Sequence, residues 1–178
     1  MDQLNLLIGK SDFEPYLQVS VNLKDERHLA PHILQAQNLD IKPVLGNAFY
    51  TDLVKNYTDT NYQELLNGGE YVKDGKTLSF QGLKAAIASY SYARYIYARN
   101  AVDSPFGMVT KTSDYTTAVD AKTLTQVANF ARNSGEHYLQ EVVAYLNDNT
   151  DEFPLWTGSC GNRLNGKRSY KITPASRF

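Results

Sequence analysis

Cysteine is nearly absent: Cys160 stands alone among 178 residues. A single cysteine excludes an internal disulfide and suits a reducing compartment. A bond to a second chain is the alternative to a free thiol. Long apolar runs are missing too, since no stretch approaches the roughly 20 residues that span a bilayer. The opening MDQLNLLIGKSDFEPYL lacks the basic start and long apolar core of a secretory signal. These absences lead us to expect a soluble protein that meets its partners in cytoplasm. Internal repeats and low-complexity tracts are also lacking. A net charge of -1 gives the chain as a whole no signature of nucleic-acid binding.

What is present points to one folded domain with an appendage. The apolar fraction of 42% and aromatic fraction of 12% exclude wholesale disorder. Tyrosine occurs 13 times; its apolar ring and polar tip suit surfaces buried on assembly, or equally a wet core edge. Charge is unevenly placed. Residues 157–178 carry Arg163, Lys167, Arg168, Lys171 and Arg177 and no acidic residue. That segment is +5, so the remainder must be -6 to reach the whole-chain value of -1. We therefore divide the chain into a body, 1–156, and a basic extended C-terminal arm, 157–178.

Periodicity predicts a mainly α body: a bundle of about four helices with β-hairpin insertions. Leu4, Leu6 and Ile8, and again Gln18 to Leu23, alternate as in a strand or extended arm. From about Asp25, Leu29, Ile33, Ala36, Gln37 and Ile41 recur at helical steps, with Pro31 in the first turn. A second helix is expected from Asn47, as cap, through Val54, and further turns over Tyr62 to Leu66 before Gly68-Gly69. Tyr71 to Phe80 reads as a hairpin around Asp74-Gly75, because a type I′ turn needs positive φ at both central positions. Such a hairpin would be an ornament available for contacts.

Leu83 to about Ala101 is apolar nearly all round, which predicts a central helix packed on several sides. Leu83, Ile87, Tyr90 and Tyr97 form its main stripe. Tyr92 and Tyr95 fall off that stripe and are candidates for facing another subunit. Arg94 and Arg99 are expected to keep their charged ends in water. Ser104 to Gly107 is a turn. Gly107 to Val119 predicts a second hairpin or a flexible loop, and loops this long are either functional or mobile; Phe106, Met108 and Tyr115 are further interface candidates. A last helix, capped by Asp120, is expected to Asn147, with Leu124, Val127, Ala131, Tyr138, Val142, Tyr145 and Leu146 as its stripe. Gly135 near that stripe marks a close helix crossing or a bend. Phe153 to Trp156 should anchor the chain end. Beyond it, Asn165-Gly166 is a hairpin-type turn and Ser169 to Thr173 a strand needing a partner.

Chemistry is harder to find. His28 and His32 have the i, i+4 spacing of two metal ligands, but no cysteine or carboxylate motif completes a site. Asp25 and Glu26 are equally explained as favourable first-turn charges. Glu136-His137 with Glu141 is the pattern of a solvated helix face. Cys160 in a Gly-rich segment lacks a positioned base. Gly158 to Gly161 has no strand-loop-helix context for phosphate binding, and Asp103, Asp114 and Asp120 are too scattered for a calcium loop. We therefore expect no catalytic residues, no metal and no cofactor. The basic arm remains. Its cations could neutralise phosphates while Tyr170 stacks on bases. Alternatively, its +5 complements the -6 body of a neighbour, a head-to-tail arrangement that closes rings. We prefer the second.

Several stretches together resemble the head-to-tail connector (adaptor, neck-ring) proteins of tailed phages, of the crAss-like Bacteroidetes phage type. They are Ile41-Lys-Pro-Val-Leu-Gly-Asn-Ala-Phe-Tyr-Thr-Asp-Leu53, Leu65-Leu-Asn-Gly-Gly-Glu-Tyr71, Phe80-Gln-Gly-Leu-Lys-Ala-Ala86, Tyr90-Ser-Tyr-Ala-Arg-Tyr-Ile96, Ser104-Pro-Phe-Gly-Met-Val-Thr-Lys111 and Ala131-Arg-Asn-Ser-Gly-Glu-His-Tyr-Leu139. Their order and spacing cover roughly residues 25 to 156. The resemblance implies a helical subunit of a homo-oligomeric ring, typically of twelve copies, beneath the portal protein. Such a ring extends the DNA channel, docks further neck or tail proteins and helps retain the packaged genome in the virion. Nothing in it implies catalytic residues. Within this reading, Arg163, Lys167, Arg168, Tyr170, Lys171, Ile172 and Arg177 are the arm residues expected to touch a subunit or partner.

Overall fold

Two long helices set the architecture, and small side chains decide how closely they pack. The structure, a computed structural model, describes residues 5–18, 28–99, 101–104, 107–110 and 120–158. α1 spans Ala30–Ala36, α2 Lys42–Leu45, α3 Asn47–Lys55, α4 Thr60–Asn67, α5 Gly82–Arg99 and α6 Ala121–Asp148. β1 (Gly69–Lys73) pairs antiparallel with β2 (Lys76–Phe80), and β3 (Ala101–Ser104) with β4 (Gly107–Thr110). The mainly α fold with hairpin insertions is thus the one read from periodicity.

α5 is the central helix. Leu83, Ala85, Ala86, Ile87, Ala88, Ser89, Ser91 and Ala93 are all buried along it, and α1, α4 and α6 pack around it. The buried Ser91 hydroxyl donates to the Ile87 carbonyl at 2.6 Å, so it needs no partner outside its own helix. α6 crosses α5 at Gly135. A Cβ there would lie 3.1 Å from Tyr90 Cδ2 and 3.3 Å from Ser89 Cβ. Gly135 therefore marks a close crossing, one of the two readings its position allowed. Asp120 caps α6, accepting from the Thr123 amide at 2.7 Å. Its carboxyl is held below the usual range by that bond and by the Thr123 hydroxyl.

The first helical segment departs from expectation. Between α1 and α2 the chain makes a π-helical turn, Gln37–Ile41, where periodicity predicts a continuous α-helix. Gln37 sits on the apolar stripe yet is fully buried. Its amide accepts from the Leu7 amide and donates to the Asn5 carbonyl and the Tyr50 hydroxyl, each at 3.0 Å. A buried amide satisfied on three sides adds directional constraint to an otherwise non-directional core. It ties the segment 5–18 to α1 and α3, and Leu7, Ile8 and Phe13 bury their side chains in the core. No strand forms over residues 5–18; a 3₁₀ turn, Lys10–Phe13, stands there instead. Asp12 anchors that turn to α5 through Lys84 at 3.0 Å.

α3 begins at Asn47 with Gly46 as its cap residue, at φ 81°. Asn47 lies inside the helix, where the sequence suggests it as the cap. α4 ends at Gly68, and there the chain folds on itself. Gly68 and Gly82 lie back to back at the base of the β1–β2 hairpin, both with positive φ. A Cβ on Gly82 would fall 2.4 Å from the Gly68 nitrogen, and one on Gly68 would fall 2.5 Å from the Phe80 carbonyl oxygen. Only two glycines permit this crossing. The tip is the expected type I′ turn, with Asp74 at φ 51° and Gly75 at φ 72°.

The hairpin is docked rather than free. Phe80 stacks on Tyr145 of α6 at 4.2 Å, and Tyr71 meets the same ring edge-on at 5.1 Å. The Tyr71 hydroxyl donates to Asp148 at 3.1 Å, and Lys73 pairs with the same carboxylate. Its other face stays outward, with Val72 71% exposed. The segment after α6 is anchored as expected. Phe153 and Trp156 pack edge-on against Phe49 at 5.9 and 5.8 Å, and the Trp156 indole donates to Asn147 at 3.0 Å.

Gly82→Ala combines positive-φ strain with a backbone collision, so it should destabilise by about 3 kcal/mol or more. Gly75→Ala shares the positive φ but has open space around it, and should cost about 1 kcal/mol. Urea unfolding midpoints of the two variants check this ordering.

Candidate assembly surfaces

Of the residues expected at an interface, Arg163, Lys167, Arg168, Tyr170, Lys171, Ile172 and Arg177 lie outside the described residues, as do Phe106 and Tyr115. Met108 lies on β4, in register with Asp103. The pairing of β3 with β4 therefore begins earlier in the chain than the span 107–119 that alternation suggests. Tyr95 is a correction. It is 9% exposed and packs edge-on against His32 at 6.0 Å, because α1 covers the side of α5 from which it projects. Tyr92 is half-buried, and its hydroxyl donates to the Gln18 carbonyl at 3.4 Å. Both tyrosines thus serve packing within the chain.

Tyr97 reverses the other way. On the expected core stripe, it is 54% exposed. Val127 also leaves the expected stripe, and its neighbour Phe130 is 74% exposed. Ala128, Ala131, Gly135, Leu139, Val142 and Leu146 define the buried face of α6. At about 100° per residue, Val127 falls to one flank of that face and Phe130 lies farther round, toward the solvent side. Tyrosine as a whole is a core-edge residue here. Tyr50, Tyr90, Tyr95 and Tyr145 are buried, and Tyr16, Tyr62, Tyr71, Tyr92 and Tyr138 are partly so.

Two clefts formed by described residues differ in electrostatic character. The first, of about 140 Å³, lies between α5 and the N-terminal half of α6 and is lined by Asp40, Tyr90, Arg94, Tyr97, Asn129 and Arg132, among others. The sequence places Arg94 in water; instead its Nε and Nη2 both donate to Asp40 Oδ2, at 3.1 and 2.7 Å. Arg132 is exposed and has no carboxylate partner among the described residues. Burial, then the charges of Asp40 and Glu136, push the Tyr90 phenol up to about 12. It stays neutral, with a proton to donate.

The second cleft, of about 660 Å³, lies where α3, α4 and the segment after α6 converge. Asp52, Asp59 and Glu152 line it with Thr58, Tyr62 and Pro154, and no cationic residue does. Asp52 is engaged by the Tyr62 hydroxyl at 2.5 Å and by Asn56 at 2.9 Å. Burial and this carboxylate together raise the Tyr62 pKa. Asp59 and Glu152 are exposed.

His28 is exposed just ahead of α1, and His32 is half-buried on that helix. His32 Nδ1 is buried without a hydrogen-bond partner among the described residues. Among those residues, no group of three or more His, Cys, Asp or Glu could hold a metal ion. No helix among them is long and apolar enough to cross a membrane.

The fold and these surfaces define a mainly helical protein with a docked hairpin and two clefts of opposite character. The chain belongs to DUF6712, a family of unknown function, which matches residues 41–166. The matched span takes in everything from α2 to α6 and the Phe153–Trp156 anchor. No curated protein and no solved structure matches the chain.

Burial, and secondarily Arg94, lower the His32 pKa from 6.5. The unfolded chain therefore takes up this proton before the folded one does. The associated stability is present above about pH 6.5 and is lost as pH falls through the folded value. Thermal melts should show a falling midpoint between about pH 7.5 and 5.5. His32→Phe, which cannot titrate, should flatten that part of the slope.

Proposed function

We propose that the chain is a structural, non-catalytic subunit of a phage head-to-tail connector. Copies form a neck ring, of twelve subunits by resemblance, beneath the portal protein. The ring extends the DNA channel and docks further neck or tail components. On this reading the protein is made in the host cytoplasm and resides in the virion at the head–tail junction. It needs no cofactor and touches packaged DNA only passively. One observation carries the reading: a single chain holds a -6 body and a +5 C-terminal segment. Opposite charges within one chain suit head-to-tail contacts between copies, which can close rings. The outward face of the β1–β2 hairpin and the exposed Phe130 add apolar surface that the monomer core leaves uncovered. The quoted stretches that resemble phage connectors all fall within the family-matched span.

A second reading is a small nucleic-acid-binding protein. It draws on the five cations, and no anion, of residues 157–178. In that case salt-dependent DNA binding by the isolated chain would vanish on deleting 157–178, since phosphate neutralisation releases counterions. For the connector reading, native mass measurement should find closed rings, and virion imaging should place the chain at the neck. A strictly monomeric chain that never enters particles would sink it.

A further inference from the structure

The two clefts lie toward opposite ends of the α5–α6 pair. Arg132 sits in the first cleft, and α6 runs on to Asp148 before the second begins at Glu152. At about 1.5 Å per residue, roughly 24 Å of helix separates Arg132 from Asp148. In the first cleft two guanidinium groups stand against one carboxylate. Asp40 engages Arg94, which leaves Arg132, the Asn129 amide and the Tyr90 phenol as donors in the lining. Ala93, Ala128 and the Tyr97 ring supply apolar walls. A carboxylate on a short apolar stem is the side chain such a mixture recognises, because an arginine fork binds it with two parallel hydrogen bonds. The second cleft presents such groups in Asp59 and Glu152, on a surface whose lining holds no cation.

We propose that the first cleft of one copy receives the Glu152-bearing rim of the second cleft of another copy. This rests on the assembly reading above and assigns the two faces that would meet. The paired surfaces differ from one another and lie toward opposite ends of the α5–α6 pair. The contact is therefore heterologous, and each copy has one face of each kind to offer. Tyr97, exposed in the monomer, becomes part of the buried wall.

The test is a charge exchange in the full chain. Arg132→Glu and Glu152→Arg each alter an exposed side chain, and circular dichroism should match the parent for both. Light scattering at matched concentration and low salt should show each variant self-associating at least about tenfold more weakly than the parent. An equimolar mixture should regain the parent's assembly, because the carboxylate introduced in one variant then faces the guanidinium introduced in the other. Added salt should weaken the parent's association. If the parent assembles and both single variants assemble equally well, the face assignment is wrong while the ring reading stands. Weakened single variants with no recovery on mixing also overturn the pairing. If Arg132→Glu leaves assembly intact but lowers DNA retention, the cleft is a phosphate site instead. A parent that stays monomeric at every concentration overturns the pairing, and if it also never enters particles the connector reading falls with it.

Discussion

The close approach of α5 and α6 at Gly135 is the constraint on which the rest of the body depends. With no side chain at 135, Tyr90 and Ser89 come within 3.3 Å of where a Cβ would stand. The alanines and serines of α5 extend that proximity along the helix. Small residues reduce the apolar area each position can bury, yet they let two backbones approach and bring more of their surroundings into contact. Larger side chains then close the periphery: Phe49, Phe153 and Trp156 at one end, and Leu29, Ile33 and Ile41 along the side that α1 covers. Both clefts are by-products of this arrangement. One opens between α5 and α6 beside Tyr97, and the other where α3 and α4 meet the chain leaving α6.

Tyrosine does much of the finishing. Tyr50, Tyr62 and Tyr71 each bury a ring and send the hydroxyl to a defined acceptor or donor: Gln37, Asp52 and Asp148 respectively. A phenol does this at low entropic cost, since two torsions fix both the ring and its polar tip. Tyr145 shows the limit of the pattern. Its ring lies among Phe80, Tyr71 and Phe153, and burial pushes its hydroxyl up to about 12. The abundance of tyrosine is thus largely explained within one chain, and an excess held in reserve for partners is not required.

What can be read from the sequence has local causes. Asp74-Gly75, the Asp120 cap, the role of Gly135 and the Phe153–Trp156 anchor each follow from backbone geometry or from a short hydrophobic pattern. What cannot be read depends on residues far apart. The Asp40–Arg94 pair joins positions 54 apart, so in the sequence Arg94 has the look of a solvated helix charge. Periodicity puts Gln37 on the correct face, but its bonds to Asn5 and Leu7 exist only once the N-terminal segment folds back. The π turn preserves three- and four-residue spacing well enough to pass for α-helix. Tyr95 and Tyr97 exchange roles because nearly all of α5 is apolar, and periodicity cannot say which side a neighbour will cover. The candidate clefts are illegible for the same reason. Each draws its lining from three or more segments that only the tertiary fold brings together.

The back-to-back glycines at the base of the β1–β2 hairpin have a mechanical consequence. The hairpin enters and leaves the body through one point, at the junction of α4 and α5, and is braced a second time by Tyr71 and Lys73 on Asp148. A tug on the Asp74-Gly75 tip is therefore carried as a couple between the first residue of α5 and the last of α6. Those are the two helices whose closeness holds the body together. The hairpin is in this sense a short lever arm, hinged where the chain crosses itself and bearing on the end of the longest helix.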